Sequence, residues 1–167
     1  YSVLKDMNTG TGPVYFMAWT TTPWTLPSNL GLTVGPSIEY SLVSSFNPYT
    51  GEPLTVVCAT ALLPKYFKEE AAALAFEEYK AGDKLIPWKV LGTIKGKALE
   101  GIYYDQLMPA AANARSVIQE ITPGADPFKV VVGDFVTTED GTGIVHTAPA
   151  FGADDYKVGK KYGLGIL

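Results

Sequence analysis

The sequence predicts an α+β domain: a compact, β-barrel-like core of mostly antiparallel or mixed strands with a few peripheral helices. Three observations lead there. Stretches rich in β-branched and aromatic residues recur in runs, whereas only two segments carry a helical pattern. The 17 glycines and 12 prolines are scattered, which implies many turns and short strands and not a disordered linker. With 47% of its 167 residues hydrophobic and 18% charged, the chain can bury one well-packed core and is short for two.

Taken in order, "GPVYFMAWTTT" (12 to 22) reads as a buried strand that Pro23 ends, because a proline cannot donate to a sheet ladder. "IEYSLVSS" (38 to 45) and "PLTVVCAT" (53 to 60) read as two strands joined by a loop at "FNPYTGE". "PKYFKEEAAALAFEEYKAG" (64 to 82) predicts the main helix. Pro64 lies near its start, its middle is alanine-rich, and Gly82 follows its end. Phe67, Leu74 and Tyr79 can share its buried side, with Glu69, Glu70, Glu77 and Glu78 facing water or the lysines. "LIPWKVLG" (85 to 92), "ARSVIQEI" (114 to 121), "KVVVGDFV" (129 to 136) and "TGIVHTA" (142 to 148) predict further strands. "GADDYKVGKKYG" (152 to 163) predicts a short helix, acids first and lysines last, as the helix dipole prefers.

Composition excludes several classes. No apolar run approaches the ~20 residues that a membrane-spanning helix needs, and no repeat is present. The single cysteine, Cys58, rules out an intramolecular disulfide and suits a buried thiol in a reducing, cytoplasmic setting. A net charge of −4 gives the domain as a whole no general attraction for nucleic acid. The stretch 80 to 97 differs. Lys80, Lys84, Lys89, Lys95 and Lys97 stand against Asp83 alone, either as a solvated face or as a contact for a phosphate backbone. "YSVLKDMNTG" lacks a signal-peptide layout and "KKYGLGIL" stops in an apolar stretch, so the expected unit is one domain, residues 1 to 167, cut from a longer protein.

Two segments carry the chemistry. In "WTTTPWTLPSN" (19 to 29), an extended backbone would turn Thr20 and Thr22 to one face and Thr21 to the other. Paired hydroxyls, which donate and accept, can orient a water and a polar substrate together. Pro23 and Pro27 make the exit rigid and Asn29 adds a carboxamide. Threonine is also simply at home in strands, so this run alone is weak. "EDGTGIVHTAPAFGADDYKVG" (139 to 159) holds His146, the only histidine, at the end of an apolar strand. A corner at Pro149 and Gly152 follows, and then Asp154 and Asp155 open the last helix. Asp154 suits a helix cap, whereas Asp155 and His146 can face one cleft. "GTGIVH" is not a dinucleotide fingerprint, and no serine sits on a nucleophile elbow. A metal held by His146, Asp154 and Asp155 has poor ligand spacing. What remains is a carboxylate for an ammonium group with hydroxyls near a carbonyl: a pocket for an amino-acid ester.

Together, "WTTTPWTLPSN" and "GTGIVHTAPAFGADDY" resemble the editing (connective-peptide) domain of class I isoleucyl-tRNA synthetases, over nearly the whole chain. The leucyl and valyl enzymes typically read Thr-Thr-Arg-Pro-Glu-Thr at the first motif. Here Thr22 replaces that Arg and Trp24 that Glu, which points to the isoleucine branch. The "KYFKEEAAALAFEEYK" stretch and the "FVTTEDGTG" lead-in look like the eukaryotic cytosolic type.

The resemblance implies an aminoacyl-tRNA ester hydrolase that clears valine mischarged onto tRNA(Ile), or valyl-adenylate, and excludes isoleucine by size. Asp155 matches the carboxylate that grips the α-ammonium. Thr20, Thr21 and Thr22 match the wall that positions the attacking water. Asn29 borders the pocket, His146 guards its side-chain end, Ala153 lies beside it, and Trp19 and Trp24 supply walls and packing. The implied partners are the aminoacylated 3′ end of the tRNA and the remainder of the synthetase, without a membrane. No cofactor or metal is implied for the domain, ATP being used by the synthetic part of such an enzyme. The alternative is a module that binds the aminoacylated end without turning it over.

Overall fold

The computed structural model describes residues 2–7, 12–108 and 114–167. Its elements are α1 (Ser2–Met7), β1 (Val14–Phe16), β2 (Gly31–Val34), β3 (Glu39–Phe46), β4 (Pro53–Ala59), α2 (Leu63–Tyr66), β5 (Lys89–Lys95), α3 (Gly96–Leu99), α4 (Ala114–Ile121), β6 (Lys129–Val132), β7 (Ile144–Thr147) and α5 (Ala153–Tyr162). Short 3₁₀ turns occupy Pro23–Ser28, Thr60–Leu62, Glu69–Ala71 and Phe76–Glu78.

The strands form two mixed sheets, ordered β1-β4-β3-β5 and β6-β2-β7. In the first, β1 runs parallel to β4 while β3 is antiparallel to both β4 and β5. In the second, β2 is parallel to β6 and antiparallel to β7. The chain after β1 stitches the sheets together. The Met17 amide donates to Val57 O on β4 (3.1 Å) and the Trp19 amide to Ile144 O on β7 (2.9 Å). The sheets nevertheless do not close into a barrel.

Side-chain alternation gives the small sheet two apolar faces. Val130 and Val132 join Leu32, Val34, Tyr40, Leu42, Val57 and Ile144 in the main core between the sheets. Val131, on the opposite face, packs with Leu30, Ile118, Phe128, Val158 and Leu164, which brings α4 and α5 against β6. Tyr40 locks the first core to the loops. Its hydroxyl accepts the Gly35 amide (2.8 Å) and donates to Gly143 O (2.5 Å).

Three expectations from sequence are overturned. The long helix over 64 to 82 reduces to α2 and two 3₁₀ turns, with extended backbone at Phe67, Lys68, Ala75 and Tyr79. Aromatic contacts account for the break: Phe67 packs on Trp88 (5.3 Å between centroids), and Tyr79 stacks on Phe46 (4.4 Å). Trp88 Nε1 donates to Lys68 O (2.8 Å), a carbonyl that a continuous helix would have used internally. Helices in proteins owe most of their stability to tertiary packing and not to propensity, so a few aromatic contacts of about 0.5–1.5 kcal/mol each decide the outcome. Leu74, expected inside, is exposed, while the four glutamates do face water.

Residues 114 to 121, expected as a strand, form α4. Ala114 and Ile118, four apart, are buried with Arg115, Ser116, Gln119 and Glu120 exposed, which is helical periodicity. Gln119 secures the helix exit, accepting the Gly124 amide (2.9 Å) and donating to Ala125 O (2.6 Å).

The first strand stops at Phe16 and is not buried; Trp19 makes only an isolated bridge to Val145. Strand β5 begins four residues later than "LIPWKVLG" suggested. The strands at 38 to 45, 53 to 60 and 142 to 148, and the closing helix, form as read, while the one read over 129 to 136 stops at Val132. That helix ends at Gly163, whose φ of 64° places it in the left-handed region where glycine is favoured.

Candidate functional site

The threonines lie just beyond the point where the chain crosses from β4 to β7. Thr22 is the residue before the 3₁₀ turn Pro23–Ser28, and Pro23 sits at its first position, where a missing N–H costs nothing. Thr20 and Thr22 are half-buried on one side and Thr21 is exposed, so the expected alternation holds without a strand. Thr20 Oγ1 accepts the Thr22 amide (3.0 Å), and the two hydroxyls are 3.3 Å apart. Three residues per 3₁₀ turn eclipse positions i and i+3. Thr25 accordingly stacks on Thr22, their hydroxyls 3.3 Å apart.

Thr25 is buried, and its hydroxyl donates to Thr22 O (2.8 Å). It also lies 2.9 Å from His146 Nε2. His146 reaches it from β7, which pairs with β2 so that His146 faces Leu32. Asn29 follows the 3₁₀ turn and meets the other side of the imidazole, Nδ2 to Nδ1 at 2.7 Å. The same Nδ2 donates to Gly31 O (3.0 Å), and Tyr104 donates to Asn29 Oδ1 (2.5 Å). Burial holds His146 below the ordinary histidine range, partly offset by the nearby Asp155 carboxylate. The imidazole is therefore neutral near pH 7.

Asp155 lies in the first turn of α5. Its Oδ2 accepts the amide of Ala148, across the turn that leaves β7 (2.9 Å). Gly152, and not Asp154, is the residue that caps this helix; Asp154 and Ala153 point to solvent. Trp19 and Trp24 are exposed, as are Phe151 and Tyr156 beside Asp155. Gly141, at φ 70°, packs so closely on the Trp19 ring that a Cβ there would lie 2.9 Å from it. Tyr66 donates to Gly141 O (2.8 Å) and steadies that turn.

Tertiary structure thus brings Thr20, Thr22, Asn29 and His146 into one hydrogen-bonded group with Asp155 nearby, and leaves Thr21, Trp24, Ala153 and Asp154 at the surface. Two members escaped sequence reasoning. Thr25 was detectable from its spacing of three after Thr22 behind a helix-starting proline. Tyr104 had no local signal, being 75 residues from its partner. Among the described residues no group of three or more His, Cys, Asp or Glu side chains is placed to hold a metal ion. The lysines at 80, 84, 89, 95 and 97 are all exposed; Lys97 pairs with Glu100 (2.9 Å) and Lys89 sits over Phe76. Among the described residues no helix is long and apolar enough to cross a membrane.

No family model matches the chain. It is 60% identical over 150 residues to the isoleucine--tRNA ligase of Cytophaga hutchinsonii, covering 90% of this chain and 13% of that protein. It is 56% identical over 156 residues to the corresponding ligase of Bacteroides fragilis, covering 93% and 13%. The chain therefore spans about an eighth of the length of these relatives. Among solved structures, the chain named GlLeuRS-CP1 superposes with a TM-score of 0.64 at 17% identity, covering 96% of this chain and 49% of that one. The P. falciparum cytosolic leucyl-tRNA synthetase editing domain gives 0.60 at 18%, covering 93% and 50%. These likenesses establish the fold. The eukaryotic cytosolic character expected from sequence gains no support: these isoleucine relatives are bacterial, and the long helix behind that expectation does not form.

Proposed function

We propose that this chain, homologous to a segment of isoleucine--tRNA ligases and folded like leucyl-tRNA synthetase editing domains, is an editing domain that hydrolyses valine mischarged onto tRNA(Ile). The observation that carries the reading is the hydroxyl wall of Thr20, Thr22 and Thr25, tied to His146 beside Asp155.

The chemistry asked of these residues is modest, since an aminoacyl ester is already activated. Asp155 has one oxygen occupied by the Ala148 amide, and its other oxygen is left to receive the substrate's α-ammonium. The Thr20 and Thr22 hydroxyls place a water against the ester carbonyl. Threonine is a poor base and His146 has both nitrogens engaged, so the proton goes to water or to the substrate's own ribose hydroxyl. Isoleucine and valine differ by one methylene, worth only ~1–3 kcal/mol to a synthetic pocket. A second site can reject the larger side chain by clash, a role we assign to His146.

The net charge of −4 favours a second reading, a module that holds the aminoacylated end without hydrolysing it. Calorimetry with non-hydrolysable valyl- and isoleucyl-adenosine analogues tests the sieve, and deacylation of Val-tRNA(Ile) separates the readings. Valine-selective binding with faster deacylation is the editor; protection of the ester is the module. Equal binding of both analogues would overturn the sieve.

A further inference from the structure

The hydrogen bonds around His146 have only one consistent set of directions. Gly31 O can only accept, so the Asn29 amide must turn its NH₂ toward it. The same NH₂ is 2.7 Å from His146 Nδ1, which must therefore be the unprotonated, accepting nitrogen. The proton of the neutral imidazole then sits on Nε2 and is donated to Thr25 Oγ1 (2.9 Å). Thr25 can accept it because its own proton goes to Thr22 O (2.8 Å). At the other end, Asn29 Oδ1 receives the Tyr104 hydroxyl. That phenol is held as a donor by burial, which pushes its ionisation well above the ordinary tyrosine range. It packs edge-on against Phe128 in the second core. One directed chain thus runs Tyr104, Asn29, His146, Thr25, Thr22.

We infer that Tyr104 is a positioning residue: through Asn29 it fixes His146 as the neutral Nε2–H tautomer, and through Thr25 that tautomer sets the place of Thr22 in the hydroxyl wall. The carbonyl of Thr22 is held by both the amide (3.0 Å) and the hydroxyl of Thr25, so displacing Thr25 displaces the wall. The directions also assign His146 a role other than general base. It offers no free lone pair to a water, and a proton added at Nδ1 would face the Asn29 donor. The relay is a statement about proton positions and stands without the editing reading; its consequence for hydrolysis rests on that reading.

His146 is the chain's only histidine, so nitrogen-15 spectra of the imidazole report its tautomer without assignment ambiguity. The 167-residue chain should show a single neutral form protonated at Nε2. Asn29→Asp replaces the donor with an acceptor and should move the proton to Nδ1. Tyr104→Phe removes only a hydroxyl and should loosen the amide, giving a mixture of tautomers. In the full-length synthetase that contains this segment, Tyr104→Phe should then lower kcat for Val-tRNA(Ile) deacylation by roughly 2- to 12-fold, the range of one net hydrogen bond, with KM unchanged. A wild-type imidazole protonated at Nδ1, or a tautomer indifferent to both substitutions, would overturn the relay. A shifted tautomer with unchanged kcat would overturn the positioning role. A shifted tautomer in a protein that never deacylates would leave the relay standing and sink the editing reading instead.

Discussion

Asp155, in the first turn of α5, closes the turn after β7 by accepting the amide of Ala148 at 2.9 Å. One carboxylate oxygen therefore serves the fold, while the proposed function asks the same group to hold an ammonium. Tests of this residue must separate the two jobs, because an alanine removes both.

Asp155→Asn keeps an oxygen for the Ala148 amide but loses the charge. Analogue affinity should fall about 10- to 150-fold, the loss of a charge-assisted hydrogen bond to an ammonium of about 1.5–3 kcal/mol. The melting temperature should stay near wild type. Asp155→Ala should lose the same affinity and, in addition, about 1 kcal/mol of stability through the unpaired amide. Calorimetry and thermal melts on both variants give the comparison; equal affinity in all three proteins would remove Asp155 from the ammonium site.

Burial holds the His146 pKa below its usual 6.5, so the native chain resists a proton that the unfolded chain accepts. As pH falls below 6.5 the unfolded state binds more protons, and stability drops until the native imidazole titrates too. Asp126 and Asp140 sit below their ordinary 3.8, held by hydrogen bonds from the Tyr103 hydroxyl and the Gly141 amide, so they titrate beneath this window. Urea denaturation between pH 7 and 5 should show falling stability, and His146→Gln should flatten that slope. A slope unchanged by the substitution would refute the assignment.

Tyr40 ties β3 to the loops after β2 and before β7 through one hydroxyl. Tyr40→Phe leaves the Gly35 amide and the Gly143 carbonyl without that partner in a fully buried place. A cost of about 1–3 kcal/mol is expected. Denaturant titration measures it, with an unchanged m-value showing that the fold is retained.

Cys58 is fully buried on β4, and burial pushes its thiol up to about 11. A thiolate is the reactive form. Iodoacetamide at pH 8 should leave the native chain unlabelled and modify it once per molecule in denaturant. Rapid labelling of the native chain would show that β4 opens locally.

Part of this protein was legible because its information is local. Short runs rich in β-branched and aromatic residues specify β3, β4 and β6; acids followed by lysines, with Gly163 behind, specify α5; and the two motifs at 19 to 29 and 141 to 156 carry most of the candidate site. The misreadings share one cause. Residues 64 to 82 favour helix by intrinsic propensity, yet Phe67 and Tyr79 gain more by packing on Trp88 and Phe46. Residues 114 to 121 contain β-branched side chains, yet burying Ala114 and Ile118 together requires a helix.

The sequence by itself determined the chemical inventory: threonine hydroxyls, one histidine, a carboxylate in the first turn of a helix, and no clustered cysteines. Only the tertiary structure decided how these groups are wired. Hydrogen-bond direction is a property of contacts, and the Thr25–His146 and Tyr104–Asn29 contacts join positions 121 and 75 residues apart. Burial, likewise created only by folding, then keeps the imidazole neutral and the network in one state.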